Sequence, residues 1–517
     1  MTELKLTSSS VTDETIKDCA ELCNLKSLSL ECPRVTKGGV AHLALLSKLH
    51  QLDLQMPGVT DEMLKHISSL HQLQELKVFG PDISDDGMAH VGLLSQLHTL
   101  ELSYLVDVTD ESLRHLSLLK RLQRLHLDST TIGAEGLKQL AEISSLQELS
   151  IPSLLIDKES AIAIGKMEQL RTLEIGGLQE CDGSPLFLRL KKLQLLRIHN
   201  VESSLIDAAL IGELQDLQAL EINACKLVDS DLRKLSAAKG LRSLKLGGGA
   251  FSDEGIHSLS SLTNLQQLTL SLASLRSDGI QSLQQCRHLE RLELTCVQIN
   301  GNSIRQISKL GTLTHLRLRS TEPSALDLKP LSSLTNLESL RLSGIELSSE
   351  NLGEVCTISH LRHLSLETKP RDPPKFRIAL LASLPHLESV ILSGGFLDES
   401  EASALGGLKN IRILDINCEG ISDKTVSSLQ GLRSLEVLHI CSPGVSDKGL
   451  EYLRQCSQLQ LLDLRKTNVT DDGLRHLHHL RRLEYLYLDD TKVTATGVQK
   501  LKEVIPGVYV SSSLRAE

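Results

Sequence analysis

The chain has 517 residues, with 55 Lys and Arg against 65 Asp and Glu, a formal net charge of −10, and only 2% aromatic residues. That balance argues against general affinity for nucleic acid or anionic membrane, and no run of about 20 apolar residues is available to span a bilayer. Apolar content is an ordinary 40% with no Trp, so leucine has to do the packing that aromatic residues usually share.

The N-terminus, MTELKLTSSSVTDETIK, lacks a basic segment followed by an apolar stretch and does not read as a secretory signal. Leu4 and Leu6 instead open a pattern, Leu-x-x-Leu-x-Leu or an aliphatic variant, whose last apolar residue returns at Leu30, Leu54, Val78, Leu102, Leu127, Ile151 and onward to Leu464, Leu488 and Val510. Twenty-two copies follow one another. Most steps are 24 residues, with exceptions of 25, 23, 26 and 22. A fixed period of this kind predicts a solenoid and leaves no room for a separate catalytic domain.

One copy, residues 49–72, shows how the unit works. Leu49, Leu52 and Leu54 face inward while Gln51, Asp53 and Gln55 alternate outward, which is the pattern of a short strand. Pro57 and Gly58 then turn the chain, and Pro33, Pro81 and Pro443 recur just past their own strands, where no ladder N–H is needed. Thr60 is a natural N-cap, and Asp61 with Glu62 puts negative charge in the first helical turn, ahead of Leu64, Ile67 and Leu70 at helical spacing. The same start signal stands at Val11-Thr12-Asp13, Ile83-Ser84-Asp85, Val108-Thr109-Asp110, Phe251-Ser252-Asp253, Val445-Ser446-Asp447 and Val469-Thr470-Asp471. Each helix returns the chain before the next strand, so consecutive strands run parallel. Helices need roughly 10 Å of lateral room against about 4.8 Å for strands. An α/β horseshoe or arc with strands on the concave side is therefore expected, as a single domain over residues 1–517.

This pattern resembles the leucine-rich repeat family over essentially residues 1–510. The flavour is similar to intracellular bacterial proteins with V-T-D-x-G-L repeats and to the ribonuclease-inhibitor and F-box-associated groups. The end of the chain, TKVTATGVQKLKEVIPGVYV, resembles the way the bacterial group closes. The Asn that often follows the strand is replaced by Thr130, Thr467, Thr491 or proline, so a continuous Asn ladder is not expected. Three stretches break the rhythm: 178–190, 319–331 and 368–385. They read as drift in a tolerant loop or as a protrusion that grips a partner.

The outward strand positions hold the candidate contacts. Arg291, His315, Arg317, Arg319 and Arg341 form a basic patch beside Glu293, with Arg317 and Arg341 expected to be neighbours at about 5 Å. It reads as a surface for an anionic partner or as a solvated face. Near the end, Tyr485 and Tyr487 share one strand, with Tyr509 expected beside Tyr487 and with Asp463, Arg465, Asp489 and Asp490 flanking them. Tyrosine suits either an interface hot spot or a cap on the last rung.

His42, His66, His90, His115 and His476 repeat one slot. Helices about 10 Å apart cannot bring such residues within the ~4 Å that shared metal ligands need. The 11 cysteines are odd in number and free of C-x-x-C pairs, which suits reduced, packed thiols and a cytoplasmic location. No phosphate loop or hydrolase motif appears. The expectation is a monomeric, non-enzymatic scaffold without cofactor or metal that binds a protein partner on its concave face. The other reading is the substrate-recognition part of a ubiquitin-ligase system, whose F-box would come from another chain because none precedes residue 6.

Overall fold

The computed structural model describes residues 1–7, 11–56, 58–199, 206–223, 226–272, 277–322, 326–346, 349–368 and 376–511. The chain divides into two compact units, Met1–Ala250 and Phe251–Glu517. The first carries strands β1 (Glu3–Leu6) to β10 (Ala219–Ile222) and most of β11 (Ser243–Phe251); the second carries β12 (Gln267–Leu272) to β22 (Tyr509–Ser511).

Within each unit every described strand pairing is parallel, and apart from register shifts after Ile151 and after Ser393 equivalent residues of successive repeats stand side by side. Leu52, Leu76 and Leu100 form one such file in the first unit, and Leu268, Leu292, Leu316, Leu340 and Leu364 form another in the second. These files are buried to within 1% of completely. At about 25 cal/mol per Å2 of apolar surface, repeated leucine burial is the main favourable term holding one repeat on the next. Some cysteines join this packing: Cys286, Cys296 and Cys456 are buried, and burial pushes their thiols up to about 11, 12 and 11, whereas Cys23 is exposed.

The helices are short because one or two turns are enough to return the chain. The irregular stretches follow suit. In 178–190, Gly183 takes φ +72 and starts a helix of only four residues, Ser184–Phe187, with Pro185 in its first turn. In 319–331 the helix shrinks to a 3-10 turn, Lys329–Ser333, as its prolines imply, although Pro323 itself lies outside the described residues. In 368–385 residues 369–375, with Pro370, Pro373 and Pro374, lie outside the described residues, as Pro57 does; the buried Phe376 and a 3-10 turn, Ile378–Ser383, follow.

The repeated Thr-Asp start does more than cap its own helix. Asp13, first residue of α1 (Asp13–Cys19), accepts from the Thr36 N–H at 2.7 Å and the Thr36 hydroxyl at 2.5 Å, one repeat on. Asp61 does the same for Ser84, Asp85 for Thr109, Asp423 for Ser446, Asp447 for Thr470 and Asp471 for Thr494. A hydroxyl has one proton. Spending it on the preceding Asp turns the lone pairs towards the cap's own helix, where Thr36, Ser84, Thr109, Ser446 and Thr470 each accept an amide N–H two residues on. Thr60 follows a repeat that presents Lys37 in place of Asp, and its hydroxyl accepts no cap bond. The glycine of the motif has its reason here. A Cβ on Gly39 or Gly136 would come within 2.5 Å of the preceding Asp13 or Asp110 carboxylate oxygen, and one on Gly449 within 2.6 Å of that of Asp423. After Lys37 the position is free to hold Met63, and after Asp85 it holds Ser112, whose hydroxyl donates to that carboxylate. The ladder that joins these repeats is therefore one of aspartate.

Candidate binding face

Alternation along each strand leaves one side of the sheet to the leucine files and the other to solvent. In the first unit much of that solvent side is charged and paired, although Asp53 Oδ1 is buried without a hydrogen-bond partner among the described residues. One row of register partners runs Asp53, Lys77, Glu101, His126, Ser150, Glu174, Arg197, Glu221, Lys245. Lys77 lies 3.0 Å from Glu101, and Arg197 stands between Glu174 at 3.8 Å and Glu221 at 3.6 Å. Each exposed pair stabilises little, but together they leave few charges on this row seeking a partner.

The second unit differs. On β13 (Arg291–Cys296), β14 (His315–Ser320) and β15 (Ser339–Ser343), Arg291 faces His315, Glu293 faces Arg317, and Arg317 faces Arg341, as the spacing implied. Glu293 offsets one charge only, at 3.7 Å from Arg317 with both side chains over 40% exposed. Arg319 stands exposed between Thr295 and Ser343. Partial burial, then the nearby Arg291 charge, holds the His315 imidazole below its usual value.

Further along are β18 (Ile413–Glu419), β19 (Val437–Ile440), β20 (Leu461–Asp463), β21 (Tyr485–Tyr487) and β22. Here the register corrects one expectation. Tyr509 pairs with Tyr485, and Ser511 is the residue beside Tyr487. Val510 is the partner of Leu486, so the last step keeps the 24-residue spacing, and the apparent step of 22 arose from aligning Val510 with Leu488. The Tyr485 and Tyr509 rings stand 6.1 Å apart and tilted, 45% and 58% exposed. Neither covers the end of the core. That end is closed by α19 (Ala495–Val504), the longest helix described, which buries Val498 and Leu501, with Ile505 and Val508 after it.

Reading the register back from Tyr509 exposes a feature that inspection of the tyrosines alone missed. Ile413, Val437, Leu461, Tyr485 and Tyr509 are successive partners on the solvent side, so five strands carry one continuous apolar row. Stepping back 24 residues at a time from Tyr485 in the sequence would have found it. The adjacent row is polar: Asp415, His439, Asp463, Tyr487. Asp463 is buried at its centre, gripped by the Arg465 guanidinium at 2.6 to 3.0 Å and approached by His439 Nδ1 at 3.2 Å. Burial would raise the Asp463 carboxyl, but the His439 and Arg465 hydrogen bonds outweigh it and hold the group far below the usual carboxylate range. Arg465 also lies over the Tyr487 ring, 5.7 Å from its centre. Asp489 accepts from Ser511 at 3.1 Å. A cleft of about 430 Å3 opens among Asp415, Asn417, His439, Asp463, Arg465 and Asp489. Burial, partly offset by His439, raises the Asp415 carboxyl.

The five repeat-slot histidines are only partly exposed, and among the described residues no group of three or more His, Cys, Asp or Glu is placed to hold a metal ion. No described helix is long and apolar enough to cross a membrane.

The class that this strand, turn and helix unit defines is the leucine-rich repeat solenoid. Residues 270–468, within the second unit, match the family model described as a leucine-rich repeat region. No curated protein matches the chain. Among solved structures it is similar to an internalin from Listeria monocytogenes, at 18% identity over 74% of this chain and 95% of that one, with a TM-score of 0.41. It is also similar to the mouse RP105/MD-1 complex, at 18% identity over 96% of this chain and 88% of that one, with a TM-score of 0.48. A third, the TLR13-ssRNA13 complex, has 18% identity over 96% and 77% and a TM-score of 0.49. The fold assignment rests on the repeats themselves.

Proposed function

We propose that the chain is a non-enzymatic protein-binding scaffold whose contact face is the solvent side of the strands in the second unit. The observation that carries this reading is the apolar row from Ile413 to Tyr509; the same strand position in the first unit runs Gln51, Glu75, Thr99, Arg124, Glu148 and Thr172 before reaching Leu195 and Ala219. Apolar side chains held out on a rigid sheet lose little entropy on contact, and tyrosine is enriched where binding energy concentrates. The Arg291, Arg317, Arg319 and Arg341 patch lies on the same face and suits an anionic portion of the partner. The Thr-Asp-x-Gly ladder supports the resemblance to the V-T-D-x-G-L repeat group, which carries the scaffold reading without adding a partner.

The test is capture from a lysate of the native host with the full chain as bait, compared with a Tyr485→Ala, Tyr509→Ala bait. Loss of specific partners with an unchanged circular dichroism melt supports the face. Identical capture by the two baits removes it.

A further inference from the structure

We propose that the occupant of the Ile413–Tyr509 row is an amphipathic α-helix with basic flanks, lying across β18 to β22; this rests on the reading of that face as the contact surface. Two geometric arguments select a helix. Five strands about 4.8 Å apart make an apolar row roughly 19 Å long. A helix presents one apolar residue every three or four positions, a mean step of about 5.4 Å, so some 15 residues would set one side chain near each strand, drifting only about 2 Å over the whole row. An extended segment presents same-side residues every ~6.6 to 6.8 Å and falls out of step after two strands.

The second argument concerns the backbone. The ladder groups of β18 to β22 bond along the sheet, to the neighbouring strands. An extended peptide lying on the face would find no backbone partners there and would bury unsatisfied N–H and C=O groups, whereas a helix satisfies its own.

Charge fixes the flanks. On one side of the apolar row stand Asp415, Asp463 and Asp489; on the other stand Glu436 and Glu484. Asp463 is spent on Arg465, and Glu436 holds Arg412 in a two-pronged pair at 2.9 Å. No described residue donates a hydrogen bond to the Asp415 or Glu484 carboxylate, so both acidic edges have capacity left for Lys or Arg.

The probe is a labelled synthetic helix of about 18 residues with Leu once per turn and Lys beside it, titrated into the full chain by fluorescence anisotropy. Its companions are a scrambled peptide of the same composition, a Glu-for-Lys version and an alternating Val/Lys peptide of equal charge. The amphipathic Lys helix should bind at least about tenfold more tightly than all three, and Leu461→Asp should remove that margin. Leu461→Gln, a milder change at the same solvent-side position, should weaken binding in the same direction with native hydrogen-exchange protection, which guards against simple unfolding. Equal binding of the scrambled or alternating peptide, or no effect of Leu461→Asp, overturns the helix. If capture is lost with Tyr485→Ala, Tyr509→Ala while the helix shows no advantage, the helix fails and the contact face stands.

Discussion

Thr470 donates both its backbone N–H and its hydroxyl to the carboxylate of Asp447, 23 residues earlier, at 2.7 Å each. The same hydroxyl accepts the Asp472 N–H at 3.3 Å, so one side chain couples a helix start to the repeat before it. Asp447→Ala should therefore cost about 1–3 kcal/mol locally, read as faster hydrogen exchange at Thr470 and Asp472. Gly473→Ala gives the sharper test. In an ordinary helix interior this change gains roughly 0.5–1 kcal/mol, but here the new Cβ would stand 2.9 Å from Asp447 Cγ, and the change should destabilise. In an Asp447→Ala background the penalty should vanish. A double-mutant cycle with no coupling would show the two positions to be independent.

The same bonds predict a response to acid. Burial tends to raise the Asp85 carboxyl, but bonds from Ser112 and Thr109 outweigh it and hold it below its usual value, as bonds from Thr36 do for Asp13. A carboxylate depressed in the folded state adds stability above its unfolded pKa of about 3.9 and loses that contribution as pH falls through the folded value. Asp85→Asn should flatten the fall in melting temperature between about pH 5 and pH 2. Parallel curves for parent and variant would assign acid sensitivity to other groups.

The closing helix and the tyrosines should separate cleanly. Leu501→Ala removes a side chain only 1% exposed and should cost about 2–5 kcal/mol, fraying the last repeats first. Tyr485→Ala with Tyr509→Ala removes two half-exposed rings and should leave protection of residues 483–510 native. If the double variant frays as Leu501→Ala does, the rings are part of the closure.

The basic patch allows a parallel contrast. Arg317→Glu with Arg341→Glu should weaken partner capture and leave the melting temperature within a few degrees, since both residues are at least partly exposed. Leu316→Ala, one residue earlier but on the buried side of the strand, should cost about 2–5 kcal/mol. Unchanged capture in a salt-controlled assay would make the patch a solvated face.

The leucine period and the Thr-Asp starts made the fold legible because each repeat restates the same local rules. The Arg317–Arg341 neighbours followed from spacing alone. Tyr509 was misplaced because Ile505, Val508 and Val510 imitate the Leu-x-x-Leu-x-Leu triplet two residues out of phase, and only the hydrogen-bonded register, Leu486 with Val510, resolves it. The Asp13–Thr36 bond and the space left at Gly39 join different repeats, so reading one unit at a time cannot reveal them. The row through Ile413, Val437 and Leu461 was hidden for a related reason. Each residue is unremarkable within its own strand and acquires meaning only beside the next.

The aspartate rungs also set the phase in which repeats can be exchanged. The unit containing Ser446, Asp447 and Gly449 carries a socket for Asp423 and a plug for Gly473. Copied in tandem, such a unit meets its own complement and inherits a fitting joint without any further substitution. Moved to follow Asp423, the unit containing Met63 would set a side chain against that carboxylate, however well its leucines matched. Duplication within this chain is thus self-compatible for some units and forbidden for others, on a criterion unrelated to the hydrophobic core.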